Sequence, residues 1–310
     1  MAGDKHPRAL RGGSLRRASA TSSHTHLPAL LWVLLSTFLW SVIFAAGKFV
    51  DGRMGVFQIT LIRYVGGMAV LLVLVRAQGG LVAHRSTQPW AHFARAVSGC
   101  GAAVAITWAS ANMALVDATA IGLSYGVLAL MLGAVVLKET VTRRHGFAVA
   151  ITLAGVAVVL SNQGAFQSGL ALVPASVAFL AAFLFAVEGL LISVLGRAER
   201  ALTVMLYLTF FGLCLMLLPA LAQWQWADPA TVVFALLLGP LALFGQYCTI
   251  RGYRSAPLSI VAPVDYAWLP FSAILGWVFF SEVPNGVTWL GCAVIVAGGI
   301  LLSRLNAAPK

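Results

Sequence analysis

Charged residues are rare within ten long apolar runs of this chain, and that scarcity limits the folds it can adopt. Acidic and basic residues together make up 9% of the 310 positions, whereas they make up about a quarter of an ordinary soluble domain. A helix needs about 20 apolar residues to cross a bilayer core, and the runs contain about 16 to 27 residues each. The sequence therefore predicts an all-α polytopic membrane protein with ten transmembrane helices.

The ten apolar runs define the predicted spans. Their approximate limits are residues 28–48, 56–75, 92–112, 116–137, 146–161, 169–195, 202–222, 230–250, 258–280 and 286–303. If the N-terminus is inside, only Lys48 and Arg53 of the 20 Lys and Arg residues lie outside, and Arg63 lies within the second span. All the others, Arg95 among them, would lie on the cytoplasmic side. By the positive-inside rule, this asymmetry predicts that both termini face the cytoplasm.

The termini are polar and basic. We predict that residues 1–27 form a disordered cytoplasmic tail and that residues 304–310 form a second short tail. A transit peptide or a twin-arginine signal at Arg16-Arg17 is the alternative, but the apolar residues that should follow such a pair are missing. The net charge of +11 comes mostly from segments between spans. We therefore expect the lipid bilayer, and no nucleic acid, as partner.

An internal repeat relates the two halves of the chain. At an offset of 143 residues, the fourth and fifth spans match the ninth and tenth. The matched pairs are Glu139 with Glu282, Gly133 with Gly276, Leu132 with Leu275, Gly155 with Gly298, and Tyr125 with Trp268. Since five spans are an odd number, the second half enters the membrane from the opposite side. The sequence thus predicts two inverted five-helix repeats, at residues 28–161 and 169–303.

These features resemble the drug/metabolite transporter superfamily, and within it the EamA group of ten-helix carriers. The resemblance covers residues 28–303. It is carried by Trp40-Ser41 and Lys48 in the first span, Arg63 in the second, Glu139 and Glu282 at span ends, and the stretch 256–282. It implies a carrier in the cytoplasmic membrane for amino acids, nucleosides or other metabolites and drugs, with export as the default direction.

Two acidic residues lie well inside predicted spans, Glu188 in the sixth and Asp265 in the ninth. A carboxylate in the membrane is costly and is therefore a candidate functional group. Each could carry a coupling proton or bind a cationic part of a substrate. The alternatives are a structural hydrogen bond for either residue and, for Glu188, an ion pair with Arg197 or Arg200 near the inner end of its span.

The ninth span is interrupted by proline on both sides of Asp265. Pro263 and Pro270 each remove an N–H donor and disturb the helix one turn back. Asp265 and Trp268 are three residues apart and share a helix face. Such a face suits a ligand with an amine and an apolar body, although the kink could equally serve packing alone. The repeat equivalent of Trp268, Tyr125, could face it across the pseudo-two-fold axis.

The predicted substrate-binding residues are Asp265, Trp268, Tyr125, Tyr266, Glu188, Trp40, Trp108, Asn112 and Gln246. Trp40 and Trp108 could instead be interface anchors, and Arg63 could pair with an anion or extend to the headgroups. We expect Glu139 and Glu282 to cap or position helices.

Three functional classes follow from these residues. The leading hypothesis is a secondary carrier for a small amine-bearing metabolite working by alternating access, with Asp265 and Glu188 as candidates for proton coupling. The alternative is an uncoupled facilitator, or an uptake carrier or exchanger for a nucleoside-like or cationic metabolite. A membrane enzyme is disfavoured because the sequence lacks catalytic, phosphate-binding and metal-binding motifs. We predict no cofactor and no metal, and the sequence leaves the oligomeric state open.

Overall fold

The computed structural model describes residues 26–48, 50, 53–112, 118, 121–162, 172–281 and 283–303. Within these ranges the chain forms ten principal helices and no strand. They are α1 (Leu27–Lys48), α2 (Val56–Ala77), α3 (Pro89–Asn112), α4 (Tyr125–Val136), α5 (Arg143–Asn162), α6 (Leu172–Ala198), α7 (Ala201–Ala222), α8 (Pro229–Ser255), α9 (Leu258–Phe280) and α10 (Gly286–Ser303). A short 3-10 turn, Leu81–His84, lies between α2 and α3.

The helices have the length and surface of membrane spans. By length and composition, α2, α6, α7, α8 and α9 can each cross a bilayer. Large apolar side chains remain on the outside of the bundle, where Val73, Val135 and Leu218 are 69%, 76% and 75% exposed. A soluble protein would not tolerate so much exposed apolar surface. Each of the ten predicted spans overlaps one of these helices, which confirms the polytopic all-α fold.

The helix pairs between the two halves follow the repeat: replacing each helix of a pair by its equivalent in the other half gives another observed pair. Helix α1 packs against α8, and its equivalent α6 packs against α3. Helix α2 packs against α8, as α7 packs against α3, while α4 pairs with α9 and α5 with α10. A pattern that maps onto itself in this way is what two repeats related by a pseudo-two-fold axis produce.

Individual contacts repeat at the predicted offset as well. The Tyr266 hydroxyl donates to the carbonyl oxygen of Leu123, 143 residues earlier, at 2.7 Å. Between α5 and α10, a Cβ placed on Gly155 would lie 2.7 Å from the Ile295 nitrogen. A Cβ on its repeat equivalent Gly298 would lie 2.9 Å from the Thr152 nitrogen, and Thr152 is the equivalent of Ile295. These glycines let the two helix backbones touch at the axis.

Helix α9 begins at a cap supplied by the other half of the chain. The Glu139 carboxylate accepts from the backbone N–H groups of Leu258 at 2.7 Å and Ser259 at 2.9 Å. These N–H groups belong to the first turn, which has no intrahelical acceptor, and a negative charge there favours the helix dipole. The predicted capping role of Glu139 is thus confirmed, whereas Glu282 lies outside the described residues.

The predicted disturbance of the ninth span is confirmed. Helix α9 consists of an α-helical turn at Leu258–Val261, a 3-10 segment at Ala262–Ala267 and an α-helix at Trp268–Phe280. Pro263 lies in the 3-10 segment and Pro270 lies in the first turn of the α-helix. Because proline lacks the N–H that would continue the helix, the backbone changes pitch here, and Asp265 lies within the changed segment.

One charge is placed differently from the prediction. Arg95 was expected on the cytoplasmic side, but it lies in the second turn of α3 and its side chain is 0% exposed. Residue 95 falls within the predicted third span, 92–112, and within α3, which starts at Pro89, a favoured first residue. The guanidinium is therefore enclosed by neighbouring helices and is not a topology-setting surface charge.

Candidate functional site

The Asp265 carboxylate lies where three helices and the start of a fourth meet. Tyr253, near the end of α8, donates its hydroxyl to Asp265 Oδ2 at 2.6 Å. Thr37 of α1 lies 2.9 Å from Asp265 Oδ1 and also 2.8 Å from the Val33 carbonyl oxygen. Since a threonine hydroxyl has one hydrogen, Thr37 can donate to only one of these acceptors at a time. Tyr125, the first residue of α4, interacts with the same carboxylate.

A second acidic residue lies close to an arginine that was predicted on the cytoplasmic side. Glu188 of α6 rests against α3, since a Cβ on Gly99 would lie 2.8 Å from Glu188 Cδ. Arg95 is one helical turn before Gly99 and interacts electrostatically with Glu188. Its three guanidinium nitrogens have no hydrogen-bond partner among the described residues. A buried cation without a direct partner is costly, which makes Arg95 a candidate to bind a ligand.

The expected alternative for Glu188, an ion pair with Arg197 or Arg200, is wrong. Arg197 donates to the Ala256 carbonyl oxygen at 3.1 Å and lies 3.8 Å from Glu139 Oε1. Glu188 is nine residues before Arg197 on α6, so at about 1.5 Å per residue it lies about 13 Å deeper. Arg200 is exposed and precedes α7.

Tyr253 connects the two carboxylates. A Cβ on Gly189, next to Glu188 in α6, would lie 3.4 Å from the Tyr253 ring, and Tyr253 interacts electrostatically with Glu188. The tyrosine is 3% exposed, so both interactions occur inside the bundle. We refer to the connected residues as the polar set. They are Thr37, Arg95, Tyr125, Glu188, Tyr253 and Asp265.

The polar set brings together three predicted residues and adds others. Asp265, Glu188 and Tyr125 were predicted, but Arg95, Tyr253 and Thr37 were not. Tyr253 lies beyond the predicted eighth span at 230–250, because α8 continues to Ser255. The sequence spacing could have identified Tyr253, because it is seven residues after the predicted residue Gln246 and therefore lies on the same helix face.

Tyr266 and Trp268 belong to one apolar cluster at the 3-10 segment. Tyr266 is 0% exposed, its hydroxyl bonds to Leu123, and a Cβ on Gly126 would lie 2.5 Å from that oxygen. Trp268 packs against the apolar cluster that contains Tyr266 and Leu123. Tyr125 touches this cluster too, with its ring centroid 6.0 Å from that of Tyr266. Substrate contact by these aromatic residues stays a prediction.

Trp40 lies beside a second arginine. The guanidinium carbon of Arg63 is 5.5 Å from the Trp40 ring centroid and 5.8 Å from that of Tyr64. Tyr64 packs onto α7, where a Cβ on Gly212 would lie 2.7 Å from its ring. Arg63 Nε is buried and has no hydrogen-bond partner among the residues that the structure describes. The guanidinium thus makes cation–π contacts with two aromatic rings.

The remaining predicted residues are Trp108, Asn112 and Gln246. Trp108 is 44% exposed and lines an apolar crevice of about 420 Å³ between α3, α6 and α7. Asn112 donates to the Trp108 carbonyl oxygen at 2.8 Å, so its amide is engaged within α3. Gln246 is buried in α8, and its Nε2 has no hydrogen-bond partner in the described structure. None of the polar set is among the residues lining the crevice at Trp108.

Metal ligation finds no support in the described ranges, where no three His, Cys, Asp or Glu side chains come close enough to hold an ion. The polar set contains two carboxylates, one guanidinium, two phenols and a hydroxyl. These groups can bind opposite charges or hold a proton.

Two helical repeats, with ionisable groups enclosed between them, define the class of polytopic membrane proteins to which secondary transporters belong. The profile of the EamA-like transporter family matches residues 27–161 and again residues 172–304. The chain therefore belongs to the EamA-like transporter family and is a multi-pass membrane protein.

Similar proteins of known function are small-molecule transporters. A riboflavin transporter of Vibrio cholerae is 25% identical over 88% of this chain and 92% of its own length. The pseudopaline exporter CntI of Pseudomonas aeruginosa is 26% identical, covering 89% of this chain and 95% of the relative. An S-adenosylmethionine uptake transporter of Rickettsia prowazekii is 23% identical, covering 90% of this chain and 93% of the relative. Small-molecule transport is thus the activity that the chain shares with its relatives.

A solved structure shares the fold. One crystal structure superposes with a TM-score of 0.76, covering 89% of this chain and 97% of that chain at 20% sequence identity.

Proposed function

We propose that the protein is a secondary carrier that exports a small amine-bearing metabolite, such as an amino acid or a related compound, across the cytoplasmic membrane by alternating access. The observation that carries this proposal is the polar set. It places a carboxylate held by hydroxyl groups and a guanidinium without a direct partner in one enclosed region.

The charges of the polar set fit a substrate with two opposite charges. A substrate ammonium would bind Asp265, where Tyr253 and Thr37 orient the carboxylate. A substrate carboxylate would bind Arg95, whose guanidinium nitrogens have no hydrogen-bond partner among the described residues. A counter-charge of this kind stabilises an ion inside the membrane. The substrate carboxylate would therefore supply hydrogen-bond acceptors to the Arg95 guanidinium.

Polar contacts between the two halves support alternating access. On the side predicted to face the cytoplasm, Glu199 of the second half accepts from Ser86 at 2.5 Å and contacts His92 at 2.9 Å, both in the first half. The amide N–H of Ser86 also donates to the Tyr207 hydroxyl at 3.1 Å. Opening of the bundle to that side would break these contacts, and closing would restore them.

Two partly buried carboxylates also support proton coupling. Asp265 or Glu188 would bind a proton from one side of the membrane and release it to the other as the halves rock. The second candidate function is an uncoupled facilitator, or an uptake carrier or exchanger for a nucleoside-like or cationic metabolite. The presence of two carboxylates in the polar set favours a cationic cargo in that case.

The substrate can be identified by a thermal-shift screen of the purified protein against amino acids, nucleosides and cationic metabolites. A ligand that binds the folded state raises the unfolding temperature by mass action. A ligand that acts through the polar set should lose its effect in Asp265→Asn and in Arg95→Gln. It should keep its effect in the control Asp228→Asn, which removes an exposed carboxylate that caps α8. An unchanged ligand effect in both polar-set variants would exclude the proposed site.

Transport in proteoliposomes then separates the mechanisms. A proton-coupled carrier should concentrate the ligand only when a pH gradient is imposed. Neutralising the coupling residue, in Glu188→Gln or Asp265→Asn, should abolish accumulation while exchange can persist. If both variants still concentrate the ligand normally, neither residue couples transport to protons. If the wild type only equalises the ligand concentration across the membrane at every pH gradient, the protein is an uncoupled facilitator.

A further inference from the structure

A cleft with three arginines opens between α2, α7 and α8, on the side predicted to face the cytoplasm. Its volume is about 510 Å³. Arg200, Arg251 and Arg254 line it and are exposed. The deeper wall is apolar and includes Leu74, Leu202, Met205, Leu243 and Phe244. We call this feature the arginine cleft, and it is separate from the polar set.

The cleft exists because two helices touch at glycines and then separate. A Cβ on Gly239 of α8 would lie 2.4 Å from the Gly67 nitrogen of α2, so the two backbones are in contact there. Pro240 follows directly inside α8 and lines the cleft. Towards the inner side, the longer side chains of Leu243 and Leu74 line the cleft. The cleft therefore opens next to a close backbone contact between α2 and α8.

The three arginines have no counter-charge in the part of the chain that the structure describes. The described ion pairs involve His92 with Glu199 and Arg197 with Glu139. Glu199 precedes Arg200, but its carboxylate oxygens contact Ser86 and His92. The cleft thus has a concentrated positive charge that the described residues do not neutralise.

Aromatic rings hold one of the arginines at the cleft. The guanidinium carbon of Arg251 is 5.7 Å from the Trp32 ring centroid and 5.9 Å from that of Tyr247. The two rings meet edge to face at 6.0 Å. This arrangement fixes the cation at the height of the inner helix ends, where lipid headgroups lie.

We propose that the arginine cleft binds one anionic phospholipid of the inner leaflet. The phosphate would interact with Arg200, Arg251 and Arg254, and an acyl chain would cover the apolar wall. Phe244 and Leu74, which are 49% and 39% exposed, would then be buried. Basic pockets between helices on the cytoplasmic side are suited to anionic headgroups. The proposal is independent of the transported substrate.

Native mass spectrometry of the purified full chain tests the proposal. The protein is titrated with phosphatidylglycerol and, separately, with phosphatidylcholine carrying the same acyl chains. We expect one phosphatidylglycerol to be retained preferentially. Each arginine near the surface changes the affinity by about fivefold, so the triple variant Arg200→Gln, Arg251→Gln, Arg254→Gln should bind about 100-fold more weakly.

A matched control removes the same charge elsewhere on the predicted inner side. The triple variant Arg85→Gln, Arg143→Gln, Arg144→Gln alters exposed arginines outside the cleft and should bind phosphatidylglycerol like the wild type. Leu74→Trp keeps all three arginines but fills the apolar wall, and it should also lose the lipid.

Three outcomes would overturn the proposal. Equal retention of the two lipids would remove the charge argument. A control variant that loses as much affinity as the cleft variant would show a general surface effect. Displacement of phosphatidylglycerol by millimolar inorganic phosphate, or full binding by Leu74→Trp, would indicate a free anion site without an acyl chain.

Discussion

Substitution of Glu139 by alanine should destabilise the protein by about 3 kcal/mol, taking the lower end of about 1.5 to 3 kcal/mol for each hydrogen bond to a charged acceptor. The carboxylate accepts from the N–H groups of Leu258 and Ser259, which are 0% and 2% exposed. Without Glu139, these donors would be buried at the start of α9 with no acceptor. In Glu139→Gln one oxygen remains an acceptor, so we expect about half the loss.

The free energy of unfolding of each variant can be measured by chemical denaturation in detergent micelles, followed by tryptophan fluorescence. Asp228→Ala serves as the control because it removes a side-chain cap at the exposed start of α8. Its effect should be smaller than that of Glu139→Ala, since water can replace the cap. If Glu139→Ala unfolds within about 0.5 kcal/mol of the wild type, or like the control, the buried cap contributes no stability and the reasoning fails.

Three further variants test other parts of the fold. Gly155→Leu should destabilise by more than about 2 kcal/mol because a side chain there collides with the Ile295 backbone; unchanged thermal stability would contradict the axis contact. Tyr266→Phe should lose about 1 kcal/mol with its hydrogen bond to Leu123, and an unaltered denaturation midpoint would argue against that bond. Burial alone would raise the pKa of Glu199, but hydrogen bonds with Ser86 and His92 outweigh it and leave the pKa below its usual value. The stabilisation from Glu199 is thus complete above about pH 4.3, the usual Glu value, and is lost as the pH falls through the depressed pKa. The melting temperatures of the wild type and Glu199→Gln, measured from pH 7 to pH 3, should therefore converge in acid. A difference in melting temperature that stays constant would contradict a stabilising role of the Glu199 carboxylate.

The fold could be predicted from the sequence because the membrane imposes a simple requirement. Each span must satisfy its backbone hydrogen bonds and present apolar side chains to lipid, so the spans are visible as apolar runs. The offset of 143 residues identified the repeat, and the contact between Leu123 and Tyr266 has that same separation. Helix ends were less predictable, since α8 extends into the more polar segment that holds Tyr253.

The candidate site was only partly predictable because hydropathy gives the depth of a residue but not its neighbours. Asp265 and Glu188 were visible as charges inside apolar runs. Arg95 was missed because it lies near a span boundary and fitted the charge asymmetry equally well. The ion pair expected for Glu188 was wrong because the rotation of α6 directs it towards Gly99 on α3. Such pairings depend on tertiary packing, which a single sequence does not show.

A structure with the bound ligand from the thermal-shift screen would test the central claim most directly. The account predicts that the ligand's amine contacts the Asp265 carboxylate and that its acidic group faces the Arg95 guanidinium. A ligand bound in the apolar crevice at Trp108, with Asp265 still bonded only to Tyr253 and Thr37, would contradict it.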